Sequence, residues 1–317
     1  MIEATHWRER REGGGRFALW LIRTLALYGG RRFGRALLYP ITLYFFLRRG
    51  AERRASRDYL TRVLGHPPRV TQMLRQFHTY AATTLDRVFL LAHGERDFEI
   101  TIEGLALLEQ HVAAGRGVLL VGSHQGSFEA LRAVRARRPD VSLRVVLDKG
   151  KTPALTALLE ALAPDVGAAV IDAERGGAAI VLAAAEACAQ GAIVAMLGDR
   201  AGTCEAQRAA PLLGAPALLP VGPWLLAAAL KVPVMLCFGL YLGGNRYRLV
   251  FEPFADPLVL PRRGRDAALD GVLARYAARL EHYARQWPYN WFNFHEFWAP
   301  GASTVPITQG AQPCERR

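Results

Sequence analysis

The chain has 317 residues, of which 51% are hydrophobic and 21% charged, so it can bury a sizeable core and lacks the unbalanced charge of a disordered chain. Its four cysteines (Cys188, Cys204, Cys237 and Cys314) form no CxxC pair and no metal-ligand spacing, which argues against a disulfide framework and against structural zinc. The formal charge of +12 is concentrated at one end. Residues 1–57 hold thirteen arginines against Glu3, Glu9, Glu12 and Glu52, a surplus of +9.

A basic, apolar N-terminus fits an anionic phospholipid surface, where each arginine near the lipid contributes about 1 kcal/mol. Nucleic acid is disfavoured, because no helix-turn-helix, zinc-finger or RNP-like pattern accompanies the charge. With only three lysines in the chain, a simple preference for arginine is the bland alternative.

No clean apolar run precedes a cleavage site, so no signal peptide is expected. Two apolar stretches follow, Phe17–Tyr28 and Ala36–Leu47, with Arg31, Arg32 and Arg35 between them. Each is shorter than the ~20 residues of a membrane span. They are expected to lie in the interface with the arginines at headgroup level, or to include one marginal, tilted span; an ordinary core helix is the alternative. Pro40 is expected to kink or start a helix. Residues 51–95 place Met73, Leu74, Phe77, Tyr80, Ala81 and Leu85 at three- and four-residue spacing, the pattern of an amphipathic helix.

From residue 98 the texture alternates. Phe98–Glu103 reads as a strand and Leu105–Ala114 as a helix, and the continuous apolar run Gly117–Gly122 reads as a buried strand. Helices near 127–138, 153–162 and 176–190 then alternate with strands Ser142–Leu147, Ala168–Asp172 and Ala192–Leu197. After a loop come a helix at 221–230 and the strands Val234–Leu242 and Arg246–Phe254, joined by the turn residues Gly243-Gly244-Asn245. A last helix spans about Asp266–Gln286. The alternation predicts an α/β fold, with a mostly parallel sheet flanked by helices and an N-terminal membrane-associated helical segment. The expected organisation is a helical region over 1–95, an α/β core over 96–298 and a disordered tail over 299–317.

Ligands of open α/β sheets bind beyond the carboxyl ends of the strands. Two such ends carry chemistry here: Gly122-Ser123-His124-Gln125-Gly126-Ser127-Phe128-Glu129 and Gly198-Asp199-Arg200. A histidine with an acid five residues on is uninformative as a bare spacing, since chance alone supplies about one such pair in a chain of this composition. On one helix the two lie about 140° apart and share no face. With His124 in the turn and Glu129 in the first helical turn, however, the carboxylate can fold back onto the imidazole, fix its tautomer and stabilise the imidazolium. Gly126 then lets a substrate approach the backbone, and amides at Gly126 and Ser127 can bind a developing oxyanion. A buried loop histidine, bonded only for structure, is the alternative.

Asp199 and Arg200 are expected to orient an acceptor or hold a donor phosphate, unless they form a plain surface ion pair. Lys149 and Lys151 follow another strand end and are weaker candidates for the same phosphate. There is no G-x-S-x-G elbow, no Walker loop and no strand-linked G-x-G-x-x-G, so neither a serine nucleophile nor a nucleotide cofactor is expected. A lone base fits attack by an activated hydroxyl on an already activated acyl donor.

At these residues the chain resembles the late acyltransferases of lipid A biosynthesis, and most of all the branch of that family associated with aryl polyene pigment synthesis. The likeness spans about residues 16–298. It rests on the basic apolar N-terminus, GVLLVGSHQGSFEALR with its H-x4-E pattern, IVAMLGDR, PLLGAPALLPVGPWLLAAALKVPV and WPYNWFNFHEFW. The resemblance implies an enzyme on the cytoplasmic face of a bacterial inner membrane that takes acyl chains from acyl carrier protein and passes them to a membrane lipid acceptor, without a cofactor. It implies His124 and Glu129 as the catalytic pair, with Asp199 at the family's acidic position after the later strand. Where lipid A enzymes end in a motif of the kind W-x-H-R-R-F, this chain has Asn290–Trp298, so its acceptor can differ from a lipid A precursor. That aromatic segment is expected to line an acyl channel, to sit at the membrane interface or to strap the core. A non-catalytic adaptor and a membrane-associated thioesterase remain the rival readings.

Overall fold

The computed structural model describes residues 16–131, 141–150, 152–162, 167–201 and 205–298. Three helices open the chain, α1 (Arg16–Arg48), α2 (Gly50–Leu64) and α3 (Val70–His93). The centre is a seven-stranded sheet in the order β1 (Glu99–Glu103), β9 (Arg246–Ala255), β8 (Val234–Gly243), β2 (Val118–Gly126), β5 (Ile193–Leu197), β3 (Leu143–Leu147) and β4 (Val170–Asp172). Every neighbouring pair is parallel except the β8–β9 hairpin. This is the α/β fold with a mostly parallel sheet that the alternating pattern predicts.

Continuous apolar runs make the central strands two-faced. Leu119 and Val121 of β2 pack into the larger core with Leu236 and Phe238 of β8, while Val118 and Leu120 face the smaller one with Met235 and Cys237. Helices cover both sides. Tyr59 and Leu60 of α2, Trp224 of α7 (Gly222–Leu230) and Tyr276 and Leu280 of α8 (Arg265–Gln286) close the first face, and Leu108 of α4 (Leu105–Ala113) closes the second. The remaining described helices are α5 (Pro153–Leu162) and α6 (Gly177–Ala189).

Three details differ from the sequence expectation. The stretch read as a loop after β5 contains an antiparallel hairpin, β6 (Gln207–Leu212) with β7 (Ala215–Pro220). Its turn residues Leu213 and Gly214 both have positive φ, the signature of a tight hairpin, but Pro211, Pro216 and Pro220 mask the strand pattern. Helix α1 breaks at Gly30 (φ 73, ψ 168), and Pro40 lies inside its helical run. The helix expected near 127–138 begins as a 3₁₀ turn, Phe128–Leu131, and 132–140 lie outside the described residues, as do Lys151 and the tail after Trp298.

The arginines between the two apolar stretches turn inward. Arg31 binds both oxygens of fully buried Asp86 on α3 (2.8 and 3.0 Å), Arg35 reaches the same carboxylate at 3.4 Å, and Tyr247 donates to it at 2.9 Å. These two guanidiniums therefore clip α1 to α3 and, through Tyr247, to β9, and the headgroup-level position expected for them does not describe where they point. Arg32 is exposed. Among the described residues no helix is long and apolar enough to cross a membrane.

Candidate active site

Strands β2 and β5 are parallel neighbours, registered with Gly122 opposite Leu197. Two residues past that pair stand His124, within β2, and Asp199, just beyond the end of β5, so the sheet itself delivers both to one carboxyl edge. Beyond Gly122 the β2–β8 ladder slips: Gly122 faces Cys237 but Gly126 faces Gly239, so four steps on β2 match two on β8. This bulge lifts residues 123–125 off the ladder and re-aims His124. Close approach of the two chains demands glycine on both. Gly126 has φ +71 and a Cβ there would stand 1.9 Å from the Gly239 carbonyl oxygen, while a Cβ on Gly239 would stand 2.0 Å from that of Ser127.

The carboxylate that holds the imidazole is Asp199. Its Oδ1 lies 2.8 Å from His124 Nδ1, and its Oδ2 accepts from the His124 backbone N–H at 3.0 Å and from Trp291 Nε1 at 2.9 Å. Asp199 is fully buried. A carboxylate at Nδ1 assigns the proton to that nitrogen, leaving Nε2 with its lone pair free to act as a base. Among the described residues Nε2 takes no hydrogen bond, and the His124 side chain is 33% exposed.

The expected fold-back of Glu129 onto His124 is absent. Glu129 instead pairs with Arg87 of α3 at 2.6 Å and accepts from Ser127 Oγ at 3.0 Å. The 3₁₀ turn aims its carboxylate at α3, while the bulge aims the imidazole at β5. The sequence places Asp199 at the site with an acceptor or a donor phosphate as its expected partner; its bond to His124 depends on a strand pairing that local spacing does not encode.

The amides proposed for an oxyanion are also engaged. Gly126 N–H donates to the Asn290 carbonyl at 2.9 Å, and Ser127 N–H to that of Gly239 at 2.7 Å. The missing side chain at Gly126 admits β8 rather than a substrate. Arg200 lies beside the pair, with one guanidinium nitrogen donating to the Phe292 carbonyl and a buried Nε that has no partner among the described residues. Lys149 stands at the end of β3 on the same sheet edge, in a tight crevice with Leu147, Thr156 and Val170, and nothing joins it to His124.

Electrostatics follow from these positions. Burial lowers the His124 pKa, as do the charges of Arg200 and Arg87, and Asp199 only partly offsets them. The exposed edge of the ring moderates the burial effect. For Asp199, burial pushes the carboxyl up, but His124, Arg200 and the Trp291 donor outweigh it and hold it far below the usual carboxylate range. Burial likewise lowers Arg200, opposed by Asp199 and Tyr80.

The terminal aromatic segment straps the site. Phe292 N–H donates to the His124 carbonyl at 3.2 Å, and the Asn290 side chain bonds both the backbone N–H and the carbonyl of Tyr241 at 2.7 and 3.1 Å. Trp291, Phe292, Phe297 and Trp298 are buried, which matches the strap among the expected roles. Phe292 and Phe294 meet Tyr80 of α3 at 5.3 and 5.4 Å between ring centroids.

A fixed carboxylate, an imidazole with a free lone pair and a neighbouring guanidinium can remove a proton from a hydroxyl and stabilise the anion that forms on an attacked carbonyl. A family model described as bacterial lipid A biosynthesis acyltransferase matches residues 14–299. No curated protein matches the chain.

Proposed function

Because the chain belongs to the bacterial lipid A biosynthesis acyltransferase family, we propose that it transfers an acyl group from an acyl carrier protein thioester to a hydroxyl of a membrane lipid, with His124 as general base. The observation that carries this reading is the 2.8 Å contact between His124 Nδ1 and buried Asp199, which leaves Nε2 as the proton acceptor. Nε2 takes the proton of the acceptor hydroxyl as its oxygen attacks the thioester carbonyl. Arg200 supports the charge on the carbonyl oxygen. Collapse of the tetrahedral intermediate breaks the carbon–sulfur bond, and the imidazolium returns its proton to the departing thiolate. A base in this position is worth about 10²–10⁴ in rate.

Glu129 enters this scheme indirectly. It neutralises Arg87, whose charge otherwise opposes formation of the imidazolium. Lys149 and Lys151 are proposed to meet the phosphate of the carrier's prosthetic arm, and the resemblance to the aryl polyene branch makes a polyene or a fatty acyl chain the cargo. The acceptor is proposed to arrive from a bilayer at the cytoplasmic face of the inner membrane. Supporting this, α1 exposes Phe33, Tyr39, Leu43, Tyr44 and Leu47 at helical spacing between exposed Arg32 and Arg48, and on α3 the half-exposed Tyr80 touches Phe292 and bears on Arg200.

The test supplies purified protein with an acyl carrier protein thioester, with and without vesicles of bacterial lipid. Thioester loss that requires lipid and yields acylated lipid by mass spectrometry is the expected result. Free acid released without lipid makes the protein a thioesterase, and an untouched thioester makes it an adaptor.

A further inference from the structure

Among the described residues three tryptophans are buried, and their indole N–H groups end differently. Trp298 donates to the Leu212 carbonyl at 3.1 Å, and Trp224 finds no partner among the described residues. Trp291 donates to a carboxylate, Oδ2 of Asp199, at 2.9 Å. Asp199 thus has one oxygen turned to the imidazole and the other held by two donors, the indole and the His124 backbone.

The indole is fixed more firmly than packing alone requires. Tyr59 and Phe297 contact it edge-on at 5.2 and 5.1 Å, and the ring is fully buried. Its backbone carbonyl accepts from Gln76 Nε2 at 2.8 Å, and Gln76 Oε1 in turn accepts from Ser56 Oγ at 2.6 Å. The residues on either side of Trp291 bond to the bulge that carries His124, through Gly126 N–H to Asn290 O and Phe292 N–H to His124 O. One short segment therefore sets the imidazole's backbone and the orientation of the carboxylate together.

We propose that Trp291 is a positioning residue for the reaction: its indole N–H locks the Asp199 carboxylate so that a single oxygen, carrying a defined share of the charge, faces His124. This rests on the general-base reading of His124, but it has a readout of its own. A donor on Oδ2 draws charge away from the carboxylate, and without it Asp199 attracts the imidazole proton more strongly. The other charges facing the ring (Arg87 and Arg200, with Glu129 on Arg87) and the Tyr276 and Tyr80 hydroxyls near Asp199 and Arg200 stay in place.

The experiment titrates His124 by NMR in labelled wild-type protein and in Trp291→Phe, with the resonance assigned by its loss in His124→Gln. Substituting Phe is expected to raise the His124 midpoint by about half a unit or more. Lipid acylation, measured alongside, is expected to lose at least about tenfold in kcat while KM stays within about twofold. Should Trp291→Phe not fold, 3-benzothienylalanine at 291 keeps the bicyclic shape, replaces the N–H by sulfur and is expected to give the same upward shift. An unmoved titration in a folded variant overturns the positioning role. Absence of acyl transfer by the wild type overturns the function and leaves the titration to judge the indole.

Discussion

The chemistry proposed at His124 depends on which carboxylate faces which cation. Asp199 faces the imidazole; Glu129 faces Arg87, which in turn bears on the imidazole through space. Since burial and two guanidiniums lower the His124 pKa, the neutral base persists to lower pH than for an ordinary histidine, and activity is lost as pH falls through the depressed value. The acid limb of kcat/KM is therefore expected below 6.5. Glu129→Gln leaves Arg87 uncompensated and should move that limb further down with a loss of at least about tenfold in kcat; adding Arg87→Met should return part of both. Equal profiles for the single and double variants would show that the ion pair is unrelated to the imidazole. The position of His124 was legible in the sequence, because a histidine closing a buried apolar run stands at the sheet's carboxyl edge. Its true partner was not, because Asp199 is 75 residues away and meets it only through the β2–β5 register. The donor role of Trp291 was still less visible: an indole N–H announces nothing about its direction until the strap is folded.

Among the elements, the parallel core was readable wherever an apolar run sat between helical stretches. The β6–β7 hairpin was not, since three prolines interrupt strands that, among the described residues, form a two-stranded sheet of their own. Helix α1 shows how misleading composition can be at this scale. Its arginines suggested a headgroup row, yet Arg31 and Arg35 share buried Asp86 with Tyr247 and fasten the helix to α3 and β9. Asp86→Asn removes the charge while keeping the shape, and should lower the unfolding free energy by about 3 kcal/mol in urea titration, near the lower end for a broken buried pair because both guanidiniums keep some water. A change under about 0.5 kcal/mol would mean that the clip contributes nothing net.

Across the whole molecule the proposed function rests on two surfaces, the apolar stripe of α1 and the open edge of His124. The stripe leaves Tyr39 69% and Leu47 66% exposed, the kind of surface a water-facing helix seldom shows. Tyr80 of α3, itself exposed, makes aromatic contact with the strap over the site. The proposed base thus stands on a sheet edge, and the proposed acceptor-bearing bilayer would meet the exposed stripe of α1. The most direct test is single-turnover acyl transfer on anionic lipid vesicles by His124→Ala protein that folds and binds the vesicles as wild type does. The proposed chemistry predicts a rate lower by about 10²–10⁴. A rate within about twofold of wild type would contradict it, because general-base catalysis accounts for far more than that margin.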